Sequence, residues 1–155
     1  MKKITLLFAA ILFFNFSFAQ DYTIEEIEVT QNLFGAEKKA IIEGNIDLTG
    51  VDSAAFWKLY NEYEAVRKDI GKDKLELLHQ YSTKTGALSN DQIEALMKKA
   101  VPLRADEDAL IHKYYKKIKK VTSPTVAAQF YQIEHYISDG IRFKILDMMD
   151  FVQDK

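Results

Sequence analysis

Two helix-start signals stand forty residues apart in this chain, Leu48-Thr49-Gly50-Val51-Asp52 and Leu88-Ser89-Asn90-Asp91-Gln92. Each opens a run of about thirty residues with apolar side chains at helical spacing. In the first, Thr49 reads as the N-cap, Asp52 as a first-turn carboxylate near the positive end of the helix dipole, and Leu48 as a hydrophobic staple. In the second, Ser89 caps and Gln92 completes a capping box. Two long amphipathic segments joined by the short polar stretch Ser82–Leu88, with Gly86 inside it, have one economical arrangement, an antiparallel hairpin.

The first of these helices is expected from Gly50 to about Tyr81. Phe56, Leu59, Tyr60, Tyr63, Ile70, Leu77, Leu78 and Tyr81 share one stripe. Trp57, the single tryptophan, sits about 100° round, on the flank of Leu75 with Glu64 and Lys68 between. A second partner must cover it, either a short upstream helix or another subunit. The next helix aligns Ile93, Leu96, Met97, Ala100, Ile111, Tyr114, Tyr115 and Ile118 and contains Pro102. A proline inside a straight helix costs about 3 kcal/mol. Folding the pair about Lys84–Gly86 brings Gly71 level with Ala100–Pro102 and Arg67 near Asp106 or Glu107, which predicts a hairpin bent at that height.

Val121-Thr122-Ser123-Pro124 makes the last junction, with Ser123 as cap and Pro124 at the first helical position. The last helix runs to about Val152. Val126, Phe130, Ile133, Ile137, Ile141, Met148 and Phe151 form its main stripe, and Ala127, Tyr131, Ile145 and Met149 widen the arc. So wide an arc touches two elements or crosses a subunit boundary. Upstream, Ala36–Ile46 reads as a short helix carried by Ala40, Ile41, Ile42 and Ile46 and weakened at Gly44. Asp21–Leu33 begins with a capping-box pattern at Thr23–Glu26 and reads as a short helix or, preferably, an arm set off by Gly35. The expected architecture is all-α, about four helices in bent antiparallel hairpins. Its segments are 1–19 signal peptide, 20–35 N-terminal arm and 36–152 helical domain.

The signal peptide rests on Lys2 and Lys3, the apolar run Ile4–Phe18, and Ser17-Phe18-Ala19 as a cleavage motif, with cleavage after Ala19. The rival, an uncleaved anchor, needs a longer apolar run of about 20 residues. A periplasmic or secreted location follows. Removing the leader takes two lysines and no acid from a chain of net charge −2, so the remainder is mildly acidic and no nucleic-acid partner is expected. The chain contains no cysteine. That excludes a disulfide framework, a thiol nucleophile and a lipid anchor on cysteine.

No phosphate-binding glycine loop, nucleophile elbow or HExxH motif is present. Of the three histidines, Asp108/His112 and His135/Asp139 form i,i+4 pairs, short of the three or four convergent ligands that zinc takes. Asp106 and Asp108, like Glu62 and Glu64, are two apart and point to different helix faces. No catalytic residue, cofactor or metal site is expected, and no enzyme. His112–Lys120 holds five lysines, read as a solvated helix end suited to the dipole in preference to a patch for an anionic partner. Seven of the eight tyrosines lie from Tyr60 onward, at core edges or on an adaptable contact surface. The candidates for partner contact are Trp57, Tyr60, Tyr63, Tyr114, Tyr115 and Tyr131.

The two start signals resemble the LTxxQ motif of Spy/CpxP-like exported helical proteins, with Asp52 in place of glutamine in the first copy and Ser89 in place of threonine in the second. Glu37-Lys38-Lys39, Phe56-Trp57 with Tyr60-Asn61-Glu62-Tyr63-Glu64, and Ala127-Ala128-Gln129-Phe130-Tyr131-Gln132-Ile133-Glu134 look like a sub-branch of that group. The likeness covers Glu37–Val152. It implies a bent, four-helix, cradle-like homodimer. It also implies an ATP-independent, chaperone-like role in an envelope-stress response, binding unfolded or envelope proteins. The alternative it implies is a periplasmic sensor that docks a membrane regulator of an extracytoplasmic sigma factor or metal-stress circuit.

Overall fold

The computed structural model describes the backbone of residues 24–82 and 88–148 and the side chains of residues 34–81 and 88–147. The expected signal peptide at Met1–Ala19, the turn at residues 83–87 and the tail beyond Met148 lie outside the described residues. Those described form four helices: α1 (Ile24–Asn45), α2 (Ser53–Ser82), α3 (Asn90–Val121) and α4 (Pro124–Met148). Successive helices pack on one another, and α1 closes the ring against α4. The result is an all-α, up-down-up-down bundle. No described helix is long and apolar enough to cross a membrane.

The α1 helix runs unbroken through Gly35, where the sequence suggested an arm ending and a short helix beginning. Its lower half is held by Ile41, Ile42 and Ile46, all buried. Burial of that face outweighs the glycine's unfavourable propensity of about 1 kcal/mol. At its end the Asn45 side chain donates to the Ile41 carbonyl at 2.7 Å.

The start of α2 differs from expectation in its cap. Thr49 lies in a turn with Gly50, whose φ is +76°, a conformation that favours glycine. There the Thr49 N–H donates to Asp47 Oδ1 at 2.9 Å. The helix begins three residues later, and Asp52 is the N-cap, accepting from the Ala55 N–H at 2.9 Å. Val51 and Phe56 then occupy the staple positions, Val51 packing against the core that contains Phe56. The α3 and α4 starts follow the sequence. Ser89 Oγ accepts from Gln92 N–H, and the Gln92 side chain accepts from Ser89 N–H at 2.9 Å. Ser123 Oγ accepts from Val126 N–H at 3.1 Å.

The α2–α3 register also departs from expectation. Glu62 pairs with Lys117 at 3.5 Å, Lys74 with Glu107 at 2.5 Å, and Gln80 with Lys99 at 3.1 Å. This places Gly71 level with about Leu110, and Pro102 level with about Leu78. The two helix breakers are therefore about two turns apart, and the first turns of α3 extend past the end of α2. Centring the hairpin on Lys84–Gly86 assumed equal overhangs, which the packing does not have. The α3 helix continues through Pro102. Pro102 and Lys98, whose carbonyl loses its usual donor, are both exposed, so water can meet that carbonyl. Arg67 does not reach Asp106 or Glu107; it is held by Glu64 one turn away.

The core lies toward the α3–α4 junction, where Ile42, Phe56, Tyr60, Tyr63, Ile111, Ile118 and Phe130 are almost fully buried. The wide apolar arc of α4 is met by two elements, α3 and α1. Because Asp52 rather than Thr49 holds a first-turn N–H, Asp52→Ala is expected to cost about 1 kcal/mol in denaturant unfolding. Thr49→Ala should cost less than half as much.

Candidate functional site

Three of the four helices send a charged side chain into the core at one height. On α1, Lys38 takes the position one turn before Ile42, on the same buried face. On α2, Glu64 stands one turn after Tyr60. On α4, Glu134 stands between Phe130 and Ile137 on the buried stripe. Lys38 Nζ lies 2.5 Å from Glu64 Oε1 and 2.5 Å from Glu134 Oε2. The Tyr63 hydroxyl donates to Glu134 Oε2 at 2.6 Å. Arg67 Nε donates to both Glu64 oxygens, at 2.9 and 3.0 Å. Two cations and two carboxylates thus share one closed cluster.

Aromatic rings wall it. The Lys38 ammonium sits 4.7 Å from the centre of the Tyr63 ring and 5.9 Å from that of Tyr60, close enough for cation–π attraction. Tyr63 meets Tyr114 and Phe130 edge to face at 5.5 and 5.2 Å. On the outer side Phe34 lies against the Arg67 guanidinium, 5.0 Å from ring centre to Cζ.

The electrostatics follow from this enclosure. Burial opposes ionisation of Glu64, but Lys38 and Arg67 together outweigh it and hold the carboxyl below its ordinary value of 4.5. For Glu134 burial is the largest influence and, with the Glu64 charge beside it, pushes the carboxyl above 4.5 against the pull of Lys38 and the Tyr63 hydrogen bond. Burial, and then the neighbouring carboxylates, drive the Tyr60 and Tyr63 phenols far above 10. Both phenols stay protonated across the physiological range. Lys38 is 1% exposed and Glu134 2%, so no substrate reaches them in this conformation. The arrangement locks α1 to α2 and α4. The Tyr60 hydroxyl, Arg67 Nη2 and Glu134 Oε1 are buried with no protein partner, two donors and one acceptor that ordered water would satisfy.

The tyrosine candidates divide accordingly. Tyr60, Tyr63 and Tyr114 are core residues and offer no surface to a partner; their rings fill the space around the ion cluster. Trp57 is partly buried against the same core. It meets Phe56 and Tyr60 edge to face and lies under Lys39 of α1 at 5.2 Å. The upstream helix is therefore its cover. Tyr131 is exposed and Tyr115 is partly buried against the core, the two rings meeting edge to face at 5.7 Å across α3 and α4. They join His112, stacked on Tyr115 at 6.2 Å, and His135, 4.3 Å from Tyr131.

This aromatic group is one end of a longer face. Among the described side chains Met97, Val101, Phe143 and Leu146 are exposed large apolar residues at the other end of α3 and α4. Between them Arg104 lies 3.8 Å from Asp108, and Arg142 pairs with Asp139. His135 Nδ1 is 3.9 Å from Asp108 Oδ1, not from its own i,i+4 residue Asp139. Among the described residues no three histidine or carboxylate side chains converge as a metal would require.

No protein-family model, no curated protein and no solved structure matches the chain. The likeness to LTxxQ-motif proteins therefore rests on the motif residues alone, and these act here as helix caps and core contacts.

The ion cluster carries no sequence motif, because each member is an ordinary charged residue on its own helix. Its signal was a charged residue standing in a core slot on three separate stripes, with opposite signs. Removing one partner strands buried charge, so Lys38→Ala is expected to cost on the order of 3–5 kcal/mol in denaturant unfolding. Replacing the group together, as Lys38→Met with Tyr63→Phe and Glu134→Leu, should recover most of that loss. The pH dependence has two signs. Glu64, depressed, contributes stability that is present above 4.5 and is lost as pH falls through its lower folded value. Glu134, raised, makes stability rise as pH falls from above its folded value toward 4.5. Unfolding midpoints across pH should therefore peak on the mildly acidic side in the wild type, and Glu134→Gln should flatten that rise.

Proposed function

We propose that the protein is an exported, non-enzymatic helical protein that binds other proteins through the outer face of the α3–α4 hairpin, in the manner of an ATP-independent chaperone. The observation that carries this reading is the exposure of large apolar side chains along one face. Val101 is 62% exposed, Leu146 64% and Phe143 67%, with surface Tyr131 at the opposite end. A soluble protein rarely leaves several such side chains grouped without a use for them. The charged belt of Arg104, Asp108, Asp139 and Arg142 between the two ends keeps the face wetted and suits weak, adaptable binding. Export is supported by the leader pattern at Met1–Ala19. Among the described residues the Lys38–Glu64–Glu134 cluster is closed to solvent and serves to hold helices together. The cradle shape implied by the motif resemblance is not needed, since a single hairpin carries the face.

The test is light scattering from an unfolded client refolding beside the mature protein. The expected result is suppression of scattering at stoichiometric amounts, weakened several-fold by Val101→Glu or Leu146→Glu with helicity unchanged. No suppression by the wild type, together with capture of a single membrane regulator in pull-downs, would favour the sensor alternative.

A further inference from the structure

We propose that the outer surface of α3 from Lys113 to Lys120 binds the anionic headgroups of a lipid membrane surface. The proposal goes beyond client binding: it uses a different stretch of α3 and names a different partner.

Charge is divided unevenly in this chain. From Ala109 to Ile133 it carries five lysines and no acidic residue, although its net charge is −2. The stretch covers the last turns of α3, the junction and the first turns of α4. Lys113, Lys116, Lys117 and Lys120 follow i, i+3, i+4, i+7 spacing, which places them within about 100° of one another and along about 10 Å of helix. Tyr114 and Ile118 of the same turns are buried, so the lysine stripe lies on the opposite, solvent side. Lys119 stands one turn after Tyr115 and carries the charge toward α4. There the exposed residues Thr125, Ala128 and Gln132 bring no charge of either sign.

The ordinary explanation of such a run is the helix dipole. It serves Lys119 and Lys120, which lie in the last turn of α3, and it fades beyond that turn. Lys113, Lys116 and Lys117 stand outside its reach. Internal pairing does not account for them either. Among the described residues Glu62 is the one carboxylate paired with any of the five, 3.5 Å from Lys117, and a half-exposed pair of that kind holds little. Lys113 and Lys117 lie 5.8 and 4.6 Å from the centre of the Tyr114 ring. Those contacts position the ammonium groups and neutralise nothing.

The residue types choose the occupant. Protein–protein interfaces are depleted in lysine and enriched in arginine, whose rigid fork recognises a carboxylate in fixed geometry. The stretch contains no arginine. Flexible ammonium point charges instead suit a fluid layer of anionic headgroups, to which each adds attraction without a fixed geometry. At the edge of the patch Tyr131 is 38% exposed and meets Tyr115 at 5.7 Å. A ring that is apolar in body and polar at its tip fits the level of the headgroups.

The test is co-sedimentation with vesicles of the mature protein, which holds all four helices and lacks the apolar leader. Vesicles of equal parts phosphatidylglycerol and phosphatidylcholine should bind it, and phosphatidylcholine alone should not. One lysine near an anionic surface is worth about fivefold in affinity, so Lys116→Gln with Lys120→Gln should weaken binding about 25-fold. Lys98→Gln with Lys99→Gln removes the same charge from exposed positions near the start of α3 and should change binding less than about twofold. Circular dichroism checks that both variants keep their helicity.

No binding to the anionic vesicles, equal binding to the neutral ones, or equal losses in the two variants would each overturn the proposal. Binding of polyglutamate in place of vesicles would also overturn it and assign the face to an acidic peptide. Client aggregation is measured separately on the same proteins. Failure to suppress it overturns the client-binding reading and leaves membrane binding standing.

Discussion

The bundle depends on one ammonium group shared between two carboxylates. Lys38 has a carboxylate oxygen at 2.5 Å on each of two helices, from Glu64 of α2 and Glu134 of α4. Hydrophobic contact alone would let α1 slide along the groove between α2 and α4, since one isoleucine packs much like another. A buried charge does not slide, because leaving its partners strands the Lys38 ammonium in a medium of low dielectric and takes from Glu134 its ion-pair partner. The cluster thus fixes the register and direction of α1 more than it adds net stability.

That choice divides the aromatic residues. The ion cluster needs surroundings that exclude water yet tolerate charge, and tyrosine and phenylalanine rings supply both. Tyr60, Tyr63, Tyr114 and Phe130 are drawn inward for that purpose, and Trp57 is covered by α1 as a consequence. Among the described residues the exposed aromatic rings, Tyr131, Tyr136 and Phe143, lie on α4.

Local signals in the chain survived folding well. Ser89 with Gln92 and Ser123 with Pro124 mark helix starts because their hydrogen bonds involve residues only a turn away. The competition between Thr49 and Asp52 was harder to read, since both are good caps and the positive φ of Gly50 decided between them. The Gly71–Pro102 alignment failed for another reason: hairpin register depends on side-chain fit along the whole interface, not on the midpoint of the connecting loop.

The all-α class, the four helices and the starts of α3 and α4 were determined by the sequence itself, because periodicity and capping are properties of near neighbours. Tertiary structure alone decided which stripe residues meet, that Lys38, Glu64 and Glu134 form one cluster, and which tyrosines face water. Each of those outcomes joins side chains separated by many residues, the Tyr63–Glu134 hydrogen bond spanning 71 positions. No local rule encodes that distance; it follows from packing four helices around one buried charge.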